Sequence, residues 1–275
     1  MALLPLILAV AWVSLSPPAP LPQRGWGSFI TIPTGSYRLG KADHVENSPR
    51  SVRLKGFEIA RFETTNAEFA AFVQATGYVT DAERRHNAMA FAPPLPEFRW
   101  IRDPTASWRF PNGRRRGGIE KKQSHPVTTI SFADAQAYCR WAKTRLPTLD
   151  EWEAACRAGT TTDYWFGSDR TQIGTYANVW HGRDHLNPDL SDGYMTTSPV
   201  GSFLPNPIGL YDMYGNVFEF CTGRLVSDRS PNRVHARGGS WWCSANACCF
   251  FNSTDIGSVN VHASFSNQGF RVVRS

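Results

Sequence analysis

The sequence predicts an α+β fold with little regular secondary structure. Three observations carry that expectation. Three short, capped helices are spaced through the first 160 residues, the rest shows no helical period, and the composition favours turns and large aromatics. Of 275 residues, 22 are Gly and 19 are Pro, beside 10 Trp and 17 Phe. Such a chain makes long connections and pins them with aromatic anchors. Hydrophobic residues are 41% and charged residues 19%, which excludes a mainly disordered chain. Six Cys are too few for a disulfide scaffold, so the core must do most of the stabilising.

The first fifteen residues, Met1 to Leu15, are apolar, of signal-peptide length and too short to span a bilayer. Residues 1–22, crowded by Pro17, Pro18, Pro20 and Pro22, read as a signal peptide and Pro-rich spacer. The competing reading is a buried first strand or helix. Export, to a periplasm or beyond the cell, leaves the pairing of the Cys open. The folded domain is expected over 26–275. Phe29–Pro33 and Phe57–Phe62 alternate well enough for short strands. Thr65 and Glu68 form a capping box before Phe69, Phe72, Val73 and Thr76, and Gly77 stops that helix. Residues 84–124 form an insertion expected to fold onto the core through Trp100, Trp108 and Phe110. Val127–Ile130 reads as a strand. Ser131 to Asp134 caps a helix bearing Ala135, Tyr138, Cys139 and Trp141, and Thr148 with Glu151 caps another carrying Trp152, Ala155 and Cys156 as far as Gly159.

The formal net charge is +6 and its densest part is Arg114–Arg116 with Lys121 and Lys122. Those residues sit among turn formers, without stacking aromatics, so a solvated loop is expected and not a nucleic-acid surface. No integral membrane contact is expected either. Chemistry concentrates in two places. Arg237-Gly-Gly-Ser-Trp-Trp-Cys243 is followed by Cys248 and Cys249. Two thiolates with four residues between them can close on a soft ion such as Cu(I), or can form a disulfide, or can be plain buried thiols. The second place is Gly209 to Phe220, preceded by Asn178-Val179-Trp180 and Asp192-Gly193-Tyr194. Asp212 and Glu219 with intervening carbonyls could hold Ca(II), although Asn, Asp and Gly are also ordinary turn formers.

Together, Gly209-Leu-Tyr-Asp-Met-Tyr-Gly-Asn-Val-Phe-Glu-Phe220, Arg237-Gly-Gly-Ser-Trp241 and Asn267-Gln-Gly-Phe-Arg271 resemble the formylglycine-generating enzyme (sulfatase-modifying factor) family. His125-Pro-Val127, Arg145-Leu-Pro-Thr148 and Glu151-Trp-Glu153 fit the same pattern, in order from about Phe29 to Arg271. The resemblance implies a single compact α+β domain related to C-type lectins. It implies an oxidase that converts a sulfatase Cys, within Cys-x-Pro-x-Arg, to Cα-formylglycine with O2 and one Cu(I). By the same resemblance Cys243 and Cys248 hold the copper, while Ser240 and Asn267, with Ser264, lie in the pocket. One calcium would take Asn178, the Val179 carbonyl, Asp192 and the Tyr194 carbonyl. A second would take Asp212, the Gly215 and Val217 carbonyls, and Glu219.

The chain also departs from that pattern. Ser244, Ala245, Asn246 and Ala247 replace larger polar groups between the cysteines, Phe218 stands for a Trp, and Ile256 for an Arg expected near bound peptide. Cys249 is an extra thiol. The family's disulfide partners for Cys139 and Cys156 fall on Val272 and Ser253, so those bridges cannot form. Three readings follow, in order of preference. The chain is an exported monomeric copper oxidase of the formylglycine-generating type, a periplasmic relative maturing a small secreted metabolite such as a pyoverdine-type siderophore, or a non-catalytic binding paralogue.

Overall fold

The two ends of the described chain meet in one sheet. The computed structural model describes residues 28–91, 95–96, 99–225, 227–244, 248 and 250–275. The expected signal segment 1–22, and Ala245, Asn246, Ala247 and Cys249, lie outside the described residues. Strands β1 (Phe29–Ile32), β2 (Gly35–Leu39), β3 (Arg50–Leu54) and β4 (Phe57–Ala60) come first, then helices α1 (Asn66–Thr76) and α2 (Asp81–Arg85). Strands β5 (Met89–Ala90) and β6 (Ile101–Arg102) precede α3 (Phe132–Ala142), α4 (Leu149–Arg157) and α5 (Ile173–Tyr176). The last strands are β7 (Phe218–Cys221), β8 (Arg233–Arg237), β9 (Gly257–Asn260), β10 (Gln268–Gly269) and β11 (Val273–Arg274). One sheet has the order β1-β4-β11, with Phe29 opposite Ala60 and Val273 opposite Ile59. The other has the order β10-β7-β8-β9, and its strand ends carry the residues of the candidate site.

The three expected helices start where their caps place them. Thr65, Ser131 and Thr148 each accept from the backbone N–H three residues on, and Glu68, Asp134 and Glu151 return the bond. Each box satisfies two donors that a helix start otherwise leaves open. Gly77 ends α1 at φ +66°, but α4 ends on Ala158 rather than on Gly159. Helix α2 was not expected, although Thr80 and Glu83 form the same box. Helix α5, in the part read as non-helical, is four residues long and too short to show a period. Val127–Ile130 is a correction. It is not a strand, because Thr129 at φ +57° breaks the extended run, and the fully buried Val127 and Ile130 serve as core residues without a ladder.

Two aromatic-rich clusters form the core. One packs Phe69, Phe72 and Tyr138 of α1 and α3 with Phe220 and Phe270. Trp108 of the insertion enters it edge-on to Phe69, with ring centroids 5.3 Å apart, so that part of the insertion does fold onto the core. The other gathers Trp152, Tyr214, Trp241, Cys243 and Phe251 behind the site. Each such buried side chain contributes roughly 1.5–3 kcal/mol, which lets long loops stay fixed without regular structure. The result is one compact α+β domain. Among the described residues no helix is long and apolar enough to cross a membrane, and Arg114–Arg116 form an exposed 3-10 turn.

Candidate functional site

The thiol site begins where β8 ends. Arg237 is buried against Glu153, and Gly238 and Gly239 then turn the chain at φ +90° and +73°. A Cβ on Gly239 would lie 2.9 Å from the Phe251 backbone, so this reversal requires glycine. The turn that follows is closed by the Cys243 N–H donating to the Ser240 carbonyl at 2.9 Å. Cys243 and Cys248 meet with Cα atoms 4.5 Å apart and are joined as a disulfide. Both are buried. The Ser240 hydroxyl lies 3.9 Å from the Cys243 sulfur, and the Asn267 Nδ2 donates to that hydroxyl at 2.9 Å. Asn267 is fixed in turn by its carbonyl, which accepts from the Phe218 N–H at 2.9 Å. The Ser264 hydroxyl is buried without a hydrogen-bond partner. On the rim, Phe218 meets Phe250 at 6.3 Å, and Phe250 is 39% exposed.

The donor set is what a soft ion requires, since the reduced pair offers two adjacent thiolates away from water. The same adjacency permits a bridge, so both readings of the C-x4-C spacing need this geometry. Cys139 and Cys156 are buried with thiols pushed up to about 12, which removes them as nucleophiles at neutral pH. Cys156 lies 3.8 Å from the Ser253 hydroxyl, where the resemblance put its missing partner. A cleft of about 470 Å³ bordered by Phe62, Glu68, Trp141 and Arg274 shares no residue with the cysteine site and gathers no comparable reactive pair.

The oxygen-rich candidates lie on neighbouring loops, joined by the Asn178–Gly215 bridge. A Cβ at Gly215, where φ is +73°, would be 2.2 Å from the Asn178 carbonyl. The Asn178 Nδ2 donates to the Thr196 carbonyl at 2.9 Å and to Asn216 at 3.1 Å. Asp192 accepts from the Tyr194 N–H at 2.9 Å through Oδ1, while its Oδ2 is buried without a hydrogen bond, 3.5 Å from His181. Asp212 accepts from the Gly201 N–H at 2.7 Å through Oδ2, and its Oδ1 is buried without a partner. Glu219 is more committed. It takes the Arg271 guanidinium on both oxygens at 2.6 Å and the Trp152 indole N–H at 2.7 Å. No backbone N–H among the described residues donates to the Val179, Tyr194, Gly215 or Val217 carbonyl.

Sequence reasoning missed Glu63, which joins this second cluster. It accepts from the Asn216 Nδ2 at 2.6 Å and is fully buried near Asp212 and Glu219. Burial, with the Asp212 and Glu219 charges, pushes its carboxyl well above the usual range, and burial pushes Asp212 up to about 6. Three carboxylates thus face one guanidinium, an excess of negative charge that a divalent cation would neutralise. Among the described residues no three His, Cys, Asp or Glu side chains converge on one metal position, so both calcium candidates depend on carbonyl oxygens.

Residues 17–275 match the family described as Sulfatase-modifying factor enzyme 1-like domain. The chain is 35% identical to the formylglycine-generating enzyme of Thermomonospora curvata, over 91% of this chain and 94% of that one. It is 33% identical to the inactive C-alpha-formylglycine-generating enzyme 2 of Mus musculus, over 100% of this chain and 94% of that one. Among solved structures it is similar to PvdO from Pseudomonas aeruginosa, with a TM-score of 0.67 and 25% identity over 90% of this chain and 94% of that one.

Proposed function

The chain belongs to the sulfatase-modifying factor (formylglycine-generating enzyme) family, and from that premise we propose that it is an exported copper-dependent oxidase that converts a substrate cysteine to Cα-formylglycine with O2. The observation that carries the reading is the buried Cys243–Cys248 pair with Ser240 and Asn267 against it. Once reduced, Cys243 and Cys248 would hold Cu(I), which when bound supplies one-electron chemistry toward O2. Ser240, oriented by Asn267, keeps one hydroxyl beside the Cys243 sulfur, where it can hydrogen-bond an incoming thiol. The surrounding aromatic core excludes bulk water from the sulfurs. The overall change is balanced. Substrate CH2–SH, O2, two protons and two electrons from a thiol reductant give the aldehyde, hydrogen sulfide and water. Ca(II) at the Asn178–Tyr194 and Asp212–Glu219 sites is proposed as structural, tying down loops that have no ladder of their own.

A second reading, a relative acting on a less charged secreted metabolite, is favoured by the apolar rim of Phe218 and Phe250 and by Ile256. Two lost charged contacts, each typically worth ~1.5–3 kcal/mol, would weaken binding of an Arg-bearing peptide by roughly two to four decades. The test uses reduced protein, Cu(I), O2, a thiol reductant and a Cys-x-Pro-x-Arg peptide, with aldehyde read by mass spectrometry. We expect about one equivalent of Cu(I), lost in Cys243→Ser and in Cys248→Ser because two-point ligation is cooperative. We expect slow aldehyde formation. Fast conversion would establish the sulfatase peptide as the true substrate class. Absence of both copper binding and copper-dependent O2 uptake would leave the non-catalytic paralogue.

A further inference from the structure

His185 has no part in the site as described so far, yet it touches the peptide that carries Cys243. It is fully buried, and its ring stacks on Trp242 at 4.6 Å and 12°. Trp180 covers it at 4.5 Å, and Phe91 meets it edge-on at 5.1 Å. The His185 Nε2 is 2.8 Å from the Trp242 carbonyl oxygen. A carbonyl only accepts, so Nε2 carries the proton and donates. The next carbonyl, that of Cys243, accepts from the Trp180 N–H at 2.9 Å. Residues 180–187 therefore grip the chain on both sides of the Cys243 nitrogen, and the Ser240 carbonyl holds that N–H itself.

The gripping loop is braced. The Asp184 Oδ1 accepts from the Leu186 N–H at 3.0 Å, the Asn187 N–H at 3.0 Å and the Asn187 side chain at 2.8 Å. Trp180 Nε1 donates to the Asp184 carbonyl at 3.1 Å. Gly182 permits the tight fold, since a Cβ there would meet the Asn187 carbonyl at 2.3 Å. A phenylalanine would fill the same aromatic box without the desolvation cost of an imidazole. Unlike phenylalanine, histidine aims a donor at the carbonyl preceding a thiol.

We infer that His185 is a positioning residue for the Cys243–Cys248 pair, fixing the Cys243 backbone so that the two sulfurs stay within bonding reach. The effective concentration of one sulfur at the other governs both bridge formation and two-point ligation of a soft ion. Loss of the His185 donor should therefore weaken both by the same factor. The ligation half rests on the copper reading, and the bridge half does not.

The test compares the full chain with His185→Phe, which keeps the ring and loses the donor, and His185→Gln, which keeps a donor. The fraction of Cys243–Cys248 disulfide is measured in graded dithiothreitol buffers by alkylation and peptide mass spectrometry, with the fold checked by circular dichroism. Cu(I) affinity of the reduced proteins is read against a chelating competitor. His185→Phe should make the bridge about tenfold easier to reduce, equivalent to about 30 mV, with Cu(I) affinity falling by a similar factor. His185→Gln should recover most of the bridge. An unchanged bridge midpoint in a folded His185→Phe, with only a lower melting temperature, would mean a space-filling role and would overturn the inference. If His185→Phe does not fold, 15N spectra of the unsubstituted chain decide, since a His185 protonated on Nδ1 alone contradicts the donor. Wild-type protein that binds no Cu(I) would refute the oxidase reading, and the bridge midpoints would still decide the role of His185.

Discussion

Two buried charge clusters in this molecule are built from the same residue types and end in opposite states. Glu153 of α4 lies between Arg157 and Arg237, at 2.9 and 3.0 Å, and also accepts from the Gly40 N–H at 2.7 Å and from Asn47 at 2.8 Å. Four donors meet four lone pairs. Burial works against its charge, but Arg237 and the hydrogen bonds outweigh burial and hold the carboxyl below its usual range. Around Asp212 the same burial acts on three carboxylates that share Arg271, and there Glu63 and Asp212 are pushed upward. The fold completes the first cluster with its own cations. It leaves the second short of positive charge, and with an unpartnered Asp212 oxygen. A buried acid is structural where donors are complete and is a candidate cation site where they are not.

The strongest way to break that contrast is Glu153→Gln. It leaves two buried guanidiniums facing each other, and unpairing a buried ion pair typically costs ~3–5 kcal/mol. Denaturant melts should show that loss equally with calcium and with a chelator present. A loss that calcium repairs would mean that the first cluster is not self-sufficient.

Calcium sharpens the contrast from the other side. An ion that binds only the folded chain stabilises it by about 2.7 kcal/mol at a hundredfold excess over its Kd. Chelation should lower the melting temperature accordingly. Asp212→Asn, Asp192→Asn and Glu219→Gln should each remove part of that response, whereas Glu153→Gln should keep it whole. Identical melts with chelator and with millimolar calcium would reduce these loops to turn chemistry and would make Glu63 a neutral acid.

The difference between the clusters also shows what could be read from the chain beforehand. Capping boxes announce helices because the cap and its return carboxylate are three residues apart, and all three expected helices begin on theirs. The Cys, Ser and Asn of the thiol site could be named because Gly-Gly-Ser-Trp-Trp-Cys and Asn-Gln-Gly-Phe-Arg are contiguous motifs. Glu63 and His185 were invisible for the opposite reason. Their meaning comes from distant partners, Asn216 at 153 residues from Glu63 and Trp242 at 57 residues from His185, and a lone Glu after Phe62 or a lone His in a polar loop carries no local signal. Val127–Ile130 shows the converse error, where four β-branched residues in a row suggest a strand and one left-handed Thr129 denies it.

A third buried group sets the pH at which the contrast can be measured. His125 accepts or donates at Nδ1 with the Thr197 hydroxyl at 3.0 Å, and burial, reinforced by the Lys122 charge, lowers it from 6.5 to about 4. The unfolded chain takes a proton on this ring as pH falls through 6.5, while the folded chain refuses it until about 4. Its contribution is therefore full above pH 6.5 and is lost as pH falls toward 4. The full shift would convert to about 3 kcal/mol at 1.36 kcal/mol per unit, and residual solvent contact reduces the expected loss to about 2 kcal/mol. His125→Gln should flatten the stability profile over that interval and leave the chelator response at pH 7.5 unchanged. A profile that keeps its slope in His125→Gln would assign the acid sensitivity to carboxyls held below their usual range, Glu153 among them, since the raised Glu63 and Asp212 act with the opposite sign.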